Sequence, residues 1–185
     1  GNPAGFKTPN AFSLGEISLA LDPESVTTDT IVIKSIQIIA PQITYESAKG
    51  GTNLDKLQQN VEKAVGSGGG SSDSSAPEGE SAPAKKLIIK DLKITDGQLS
   101  YSNALLGAKP ISLALPPIHL TGIGESSGGA SSAEVVKQIL AAINKNAAGA
   151  VANSGALKEM GDQIKEKAKE TAKEKLGGLK GLLGQ

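Results

Sequence analysis

A single histidine, His119, no cysteine, and a scatter of carboxylates and tyrosines are the groups from which this chain would have to build a reactive site. Zinc and non-haem iron sites ordinarily take two or three His or Cys ligands, so their usual ligand sets are excluded, and neither metal nor cofactor is expected. His119 lies in "LPPIHLTGIG", among apolar neighbours suited to an edge strand, and reads as a structural or exposed histidine rather than a base. The serines concentrate in low-complexity tracts, and no G-x-S-x-G elbow is present to expose one as a nucleophile. Asp22, Glu24, Glu46 and Asp96 fall at expected turns or strand ends, where solvation or capping accounts for them. The glycine-rich tract at 66–70 lacks the Gly-Lys-Ser/Thr that would open a phosphate-binding helix. Tyr45 and Tyr101 are expected to cover sheet ends rather than act as acids. The residues point away from an enzyme.

Composition sharpens the exclusion. Of 185 residues, 38% are hydrophobic but only 2% aromatic, so any core must be aliphatic. A formal net charge of zero argues against nucleic acid as a partner, and the lack of Trp removes stacking platforms for single strands. No run of eighteen apolar residues is present, so no transmembrane helix is expected within the sequence. The chain opens on Gly1-Asn2-Pro3 rather than Met, which suggests a processed product with an anchor or signal upstream.

The elements that would position any site come from repetition. "IVIKSIQIIAPQITYES" at 31–47 returns as "LIIKDLKITDGQLSYSN" at 87–103, with Ile33, Lys34, Ile38, Gln42 and Tyr45 recurring as Ile89, Lys90, Ile94, Gln98 and Tyr101. "ISLAL" also occurs twice, at Ile17–Leu21 and Ile111–Leu115. Such duplication favours an extended sheet or solenoid over a pocketed enzyme. In each copy the apolar residues change parity near Lys34 or Lys90 and again near Pro41 or Gly97. Because one residue of shift flips every side chain to the other face, a bulge or corner is required at both places.

The expected fold is therefore α+β and mainly β: a bent, antiparallel, repeat-built, groove-like sheet followed by C-terminal amphipathic helices. Its expected parts are a first β repeat at 1–65, a linker at 66–86, a second β repeat at 87–123, a second flexible linker at 124–132 and a helical tail at 133–185. Within the first part, Asn53 is placed to cap a short helix carrying Leu54, Leu57 and Val61. The tract "GSGGGSSDSSAPEGESAPAKK" has neither period nor apolar content and reads as a flexible loop.

Beyond Ser132 the period turns helical. Val136, Ile139, Leu140, Ile143 and Ala147 make one stripe, on a helix capped by Ser131 or Ser132 and interrupted at Gly149 and 153–155. From Ala156 a second stripe carries Leu157, Ile164, Leu176, Leu179 and Leu183 between rows of Lys and Glu, including the i,i+3 pair Asp162/Lys165. Two placements suit it: packed on the sheet or another helix, or lying on a membrane surface.

The N-terminal third resembles the AsmA-like family of bacterial envelope proteins. The resemblance rests on Asn2-Pro3 with Gly5-Phe6, on Leu14-Gly15-Glu16-Ile17, on the Asp29/Ile31/Ile33/Ile36/Ile38/Pro41/Ile43/Tyr45/Glu46 pattern, and on Asn53-Leu54 through Leu57. It covers roughly residues 1–65, with a weaker echo at 86–121. It implies an inner-membrane anchor in the full-length precursor, a periplasmic body and an apolar β-groove that binds lipid or assists phospholipid transport and envelope homeostasis. On the apolar face expected of the sheet, Ile17, Leu19, Ile36, Ile38, Leu92 and Ile94 are the candidate lipid contacts. The expected partners are phospholipid, a membrane surface reached through the C-terminal helix or a lost anchor, and further copies of the chain. The competing reading is a structural or assembly module whose sheet is covered by its own helices or by partner subunits. The segment "IKEKAKETAKEKL" is also similar to late-embryogenesis-abundant repeats, over the C-terminus only.

Overall fold

Both copies of the repeat bend at the same place. In the computed structural model, which describes residues 1–66, 85–103 and 109–155 together with 158, 161, 162, 165, 166, 168 and 169, Ala40 (φ 51°) and Asp96 (φ 55°) hold the left-handed backbone at equivalent positions. For residues with a Cβ this conformation costs about 1–2 kcal/mol each, so the surrounding strands must impose it. They do so because β3 (Thr30–Ile39) leads through Ala40-Pro41 into β4 (Gln42–Ala48), and β6 (Lys86–Thr95) leads through Asp96-Gly97 into β7 (Gln98–Asn103). The corners stack: the Ala40 N–H donates to the Thr95 carbonyl at 2.9 Å and the Gln98 N–H to the Pro41 carbonyl at 2.8 Å.

Each copy is thus an L-shaped rung with one arm in each of two sheets. Two flanking rungs complete the stack. On one side are β1 (Phe12–Ser13) and β2 (Glu16–Leu21), and on the other β8 (Ile111–Ala114) and β9 (Ile118–Ile123). The resulting orders are β2-β3-β6-β9 in the four-stranded sheet and β1-β4-β7-β8 in the other, where the two-residue β5 (Gly51–Thr52) also pairs with β4. At the first corner Gly15 runs so close to β3 that an added Cβ would sit 2.3 Å from the Ile39 carbonyl oxygen.

The expected α+β, mainly β architecture with C-terminal helix is present, as is the bend, but the sheet is not antiparallel throughout. The two copies pair in parallel and in register, Ile33 with Ile89, Ile36 with Leu92, Ile38 with Ile94 and Tyr45 with Tyr101, so that duplicated residues are neighbours. Only the outer rungs are antiparallel to their neighbours. Parallel pairing needs a long crossover, and the chain between β4 and β6 supplies it, including α1 (Asn53–Gly66). The parity change at Lys34 is a register slip: Ala20 pairs with Ser35 but Leu21 with Ile33, leaving Lys34 as the extra residue. The two "ISLAL" segments fall in different sheets, as β2 and β8, because one follows its corner and the other precedes it.

Three local expectations are corrected. Asn53 does not cap α1. Thr52 does, its hydroxyl accepting from the Asp55 N–H at 3.1 Å while the Asp55 carboxylate accepts from the Thr52 N–H at 3.0 Å. The stretch 124–132 is not a free linker: it forms a short 3₁₀ turn at Glu125–Ser127, and Ala130 exchanges both backbone hydrogen bonds with Leu87, at 2.8 and 2.9 Å. The helix α2 (Ser132–Asn153) runs straight through Gly149. Its capping box is Ser131 with Glu134, and it buries Val135, Ile143, Ala147 and Val151 while leaving Val136 exposed.

α1 and α2 pack together against the bent sheet. α1 packs on β4, and α2 packs on α1, β6, β8 and β9. Asn144 of α2 donates to the Asp55 carboxylate at 2.7 Å, which together with the Thr52 cap outweighs desolvation and holds that carboxyl below its ordinary range. A single core cluster joins Ile43, Tyr45, Leu99 and Tyr101 from one sheet, Ile89, Leu92, Ile94, Ile118 and Ile123 from the other, and the helix residues. Tyr45 and Tyr101 therefore do not cover sheet ends. They sit in mid-strand inside the core with ring centroids 6.0 Å apart, and burial pushes the Tyr45 hydroxyl up.

Candidate functional site

In the four-stranded sheet the register aligns three aliphatic rows, each crossing all four strands. They are Ile17–Ile38–Ile94–Ile118, Leu19–Ile36–Leu92–Leu120 and Leu21–Ile33–Ile89–Ile123. The opposite face of the same sheet is polar, with Ser18, Gln37, Lys93 and His119 in one row. An apolar face this wide calls for a cover, and among the described residues α1 and α2 supply only part of it. α2 seals the β6/β9 half, where Leu92 is 0% and Ile94 2% exposed. Neither helix packs comparably on β2 or β3. There Ile36 and Ile38 are half-buried, while Ile17, Leu19 and Leu21 are 50%, 53% and 42% exposed.

The six residues singled out as lipid contacts are thus one surface split in two. Ile17, Leu19, Ile36 and Ile38 line an open strip, and Leu92 and Ile94 are core beneath α2, unreachable by any ligand while the helix is in place. Leu21, in the third row, is exposed as well, and so are Leu14 before β2 and Val26 after it, residues the alternating pattern of β2 alone only partly indicates. The candidate membrane-surface residues Leu157, Ile164, Leu176, Leu179 and Leu183 lie outside the described residues, as does most of the expected linker at 66–86. Of the expected i,i+3 pairs, Asp162 and Lys165 are 3.7 Å apart and solvent-exposed.

The N-terminal segment that leads into β1 and β2 is pinned to β4 by a buried polar clasp. Glu46, expected to be solvated at a strand end, instead lies within β4 and is 1% exposed. Its two carboxylate oxygens accept from the Lys7 N–H at 2.8 and 3.1 Å, and from the Thr8 N–H and hydroxyl at 3.0 and 2.8 Å. Desolvation opposes ionisation, but these donors outweigh it and hold the carboxyl below the ordinary glutamate range. Next to it, buried Asn53 accepts from the Glu46 N–H at 2.9 Å and donates to the Thr44 carbonyl at 2.8 Å and to Asn2 Oδ1 at 2.9 Å. Asn2 in turn donates to Thr8. Residues distant in sequence thus close one network, and no buried side-chain nitrogen or oxygen among the described residues lacks a partner.

The polar face carries one pairing that the sequence did not reveal. His119 Nε2 lies 2.5 Å from the Asp91 carboxylate, which Lys93 also approaches at 3.2 Å. The hydrogen bonds from His119 and then Lys93 lower the Asp91 carboxyl. All three are on the outer face of neighbouring strands β6 and β9, with the imidazole exposed to water. Only the β6/β9 register brings them together, so spacing could not have found the pair. Among the described residues no group of three or more His, Cys, Asp or Glu is placed to hold a metal ion, and no helix is long and apolar enough to cross a membrane. Comparison with protein-family models, curated proteins and solved structures finds no match to this chain.

Proposed function

We propose that this chain is a non-enzymatic lipid-binding module of the AsmA-like kind, working in the periplasm from an inner-membrane anchor in its precursor, and that its ligand is the acyl portion of a phospholipid. The observation that carries this reading is the open aliphatic strip: Ile17, Leu19 and Leu21 stand half-exposed in rows that continue through Ile36 and Ile38 into a sealed core. The family, the compartment and a role in phospholipid transport or envelope homeostasis rest on the resemblance of residues 1–65 alone.

Magnitudes limit what the strip can do. Covering the exposed remainder of each of the three β2 side chains is worth about 1 kcal/mol, so the strip favours weak, exchangeable contact over permanent capture. An acyl chain suits this geometry because it needs no hydrogen bonds, and none of the side chains in the three rows offers any. A second reading, a structural module covered by its own helices, is favoured by the sealed β6/β9 half, where α2 already occupies the position a ligand would take.

Native mass spectrometry with lipid extraction on chain purified from bacterial membranes tests the proposal. Bound phospholipid is expected in the wild type and lost in Ile17→Asp/Leu19→Asp, with circular dichroism unchanged because both positions are exposed. Phospholipid retained by that variant, or none in the wild type, would favour the structural reading.

A further inference from the structure

The same first rung offers a second surface, its main-chain edge. Among the described residues, no strand pairs with the outer side of β2, and all six of its residues are exposed. An edge strand leaves a row of N–H and C=O groups able to pair with another strand, and native edges are usually blunted by a lysine, a proline, a bulge in the strand itself or extreme shortness. The other edges of this fold follow that rule. β9 is entered from Pro116-Pro117 and kinked at Gly122 (φ 66°), β8 is four residues long between Lys109-Pro110 and Pro116-Pro117, and β1 is two residues long with the N-terminal segment clasped beside it on β4. In contrast, β2 is six residues, "EISLAL", with neither lysine nor proline and with its one charge, Glu16, confined to its first residue, and the extra residue of its irregular pairing, Lys34, belongs to β3.

We infer that β2 is a self-pairing edge, and that its occupant is β2 of a second copy of this chain, antiparallel across a two-fold axis near Leu19. What selects a second copy is self-complementarity. In a two-fold antiparallel pair each residue meets one of the same parity, so Ile17, Leu19 and Leu21 meet only one another on the apolar face, and Ser18 and Ala20 meet on the polar face. No charged residue lies between Ile17 and Leu21; at each end of the pair Glu16 faces Asp22, whose carboxylate is offset by Lys34 at 3.6 Å. The product is one sheet of twice the width, ordered β9-β6-β3-β2 and then the mirror sequence. The two open strips become a continuous aliphatic floor between the two α2 helices. An isologous pair of this kind closes on itself, which explains how an unblunted edge avoids open-ended aggregation. The inference concerns the backbone edge and holds whether or not lipid occupies the face.

Sedimentation equilibrium of the full chain, with Ser18→Lys/Ala20→Lys as the variant, tests it. These lysines lie on the polar face, away from the aliphatic strip, and would stand opposite each other across the axis. The wild type is expected to be a dimer at micromolar concentration, and the variant to raise the dissociation constant about tenfold or more. A monomeric wild type, or a dimer indifferent to the two lysines, overturns the inference. Because the chain has no cysteine, mild oxidation adds a positional readout. Leu19→Cys should give a disulfide-linked dimer and Thr121→Cys, on β9, should not; equal cross-linking at both sites, or none at Leu19→Cys, also overturns it. Lipid content measured alongside separates this inference from the lipid proposal: a monomeric wild type that carries phospholipid overturns only the self-pairing, and a lipid-free wild-type dimer overturns only the lipid proposal.

Discussion

Ile36 and Ile38 in the first copy of the repeat and Leu92 and Ile94 in the second occupy equivalent positions, share rows in one sheet and have almost the same side chains, yet the first pair is half-buried and the second is core. The difference follows what lies above them: α2 packs on β6 and β9 and has no comparable packing on β2 or β3. Duplicated strands therefore do not imply duplicated roles. Both copies contribute to the core, but at these two positions the second copy is sealed and the first borders an open strip, and hydropathy is blind to the distinction because both copies carry the same aliphatic pattern.

The contrast can be broken most severely from the sealed side. Leu92→Ala should destabilise the fold by about 2–5 kcal/mol, read as a lower midpoint in urea unfolding, whereas Leu19→Ala in the same row should cost less than about 1 kcal/mol. Equal costs would mean that the strip is covered in solution.

Next in size is the clasp that pins the N-terminal segment to β4. Glu46→Gln removes a charge that accepts several hydrogen bonds and should cost about 1–3 kcal/mol at neutral pH. Since the folded-state pKa of Glu46 lies below its ordinary 4.5, the stabilisation is fully present above that value and is lost as pH falls through the folded pKa. The gap between wild type and Glu46→Gln should accordingly narrow as the solution is acidified below 4.5; a gap that stays constant with pH would contradict the ionised clasp.

The smallest effect tests the cover. Ser131→Ala removes the hydroxyl that accepts the Glu134 N–H at 3.2 Å and should cost about 1 kcal/mol. Hydrogen exchange should then quicken in α2 and in the β6/β9 strands beneath it before it does in β2 and β3. Uniform quickening would mean that the two halves of the sheet unfold as one unit.

Much of the architecture was legible in the residues. The duplication of 31–47 at 87–103 implied equivalent strands, the parity changes required the irregularity at Lys34 and the corners at Ala40-Pro41 and Asp96-Gly97, and the serines at 131 and 132 signalled the start of α2. These are local consequences of side-chain period, backbone conformation and capping, so the chain carries them without reference to its distant parts. What the tertiary structure decided is everything that depends on which strand becomes whose neighbour. It made the copies parallel, placed "ISLAL" once in each sheet, brought His119 to Asp91 and drew Asn2, Thr8, Glu46 and Asn53 into one buried network. It also sealed Leu92 and Ile94 and left Ile17 and Leu19 in the open. Period tells which face of a strand is apolar; only the reach of a helix, set by long-range packing, tells which part of that face meets water.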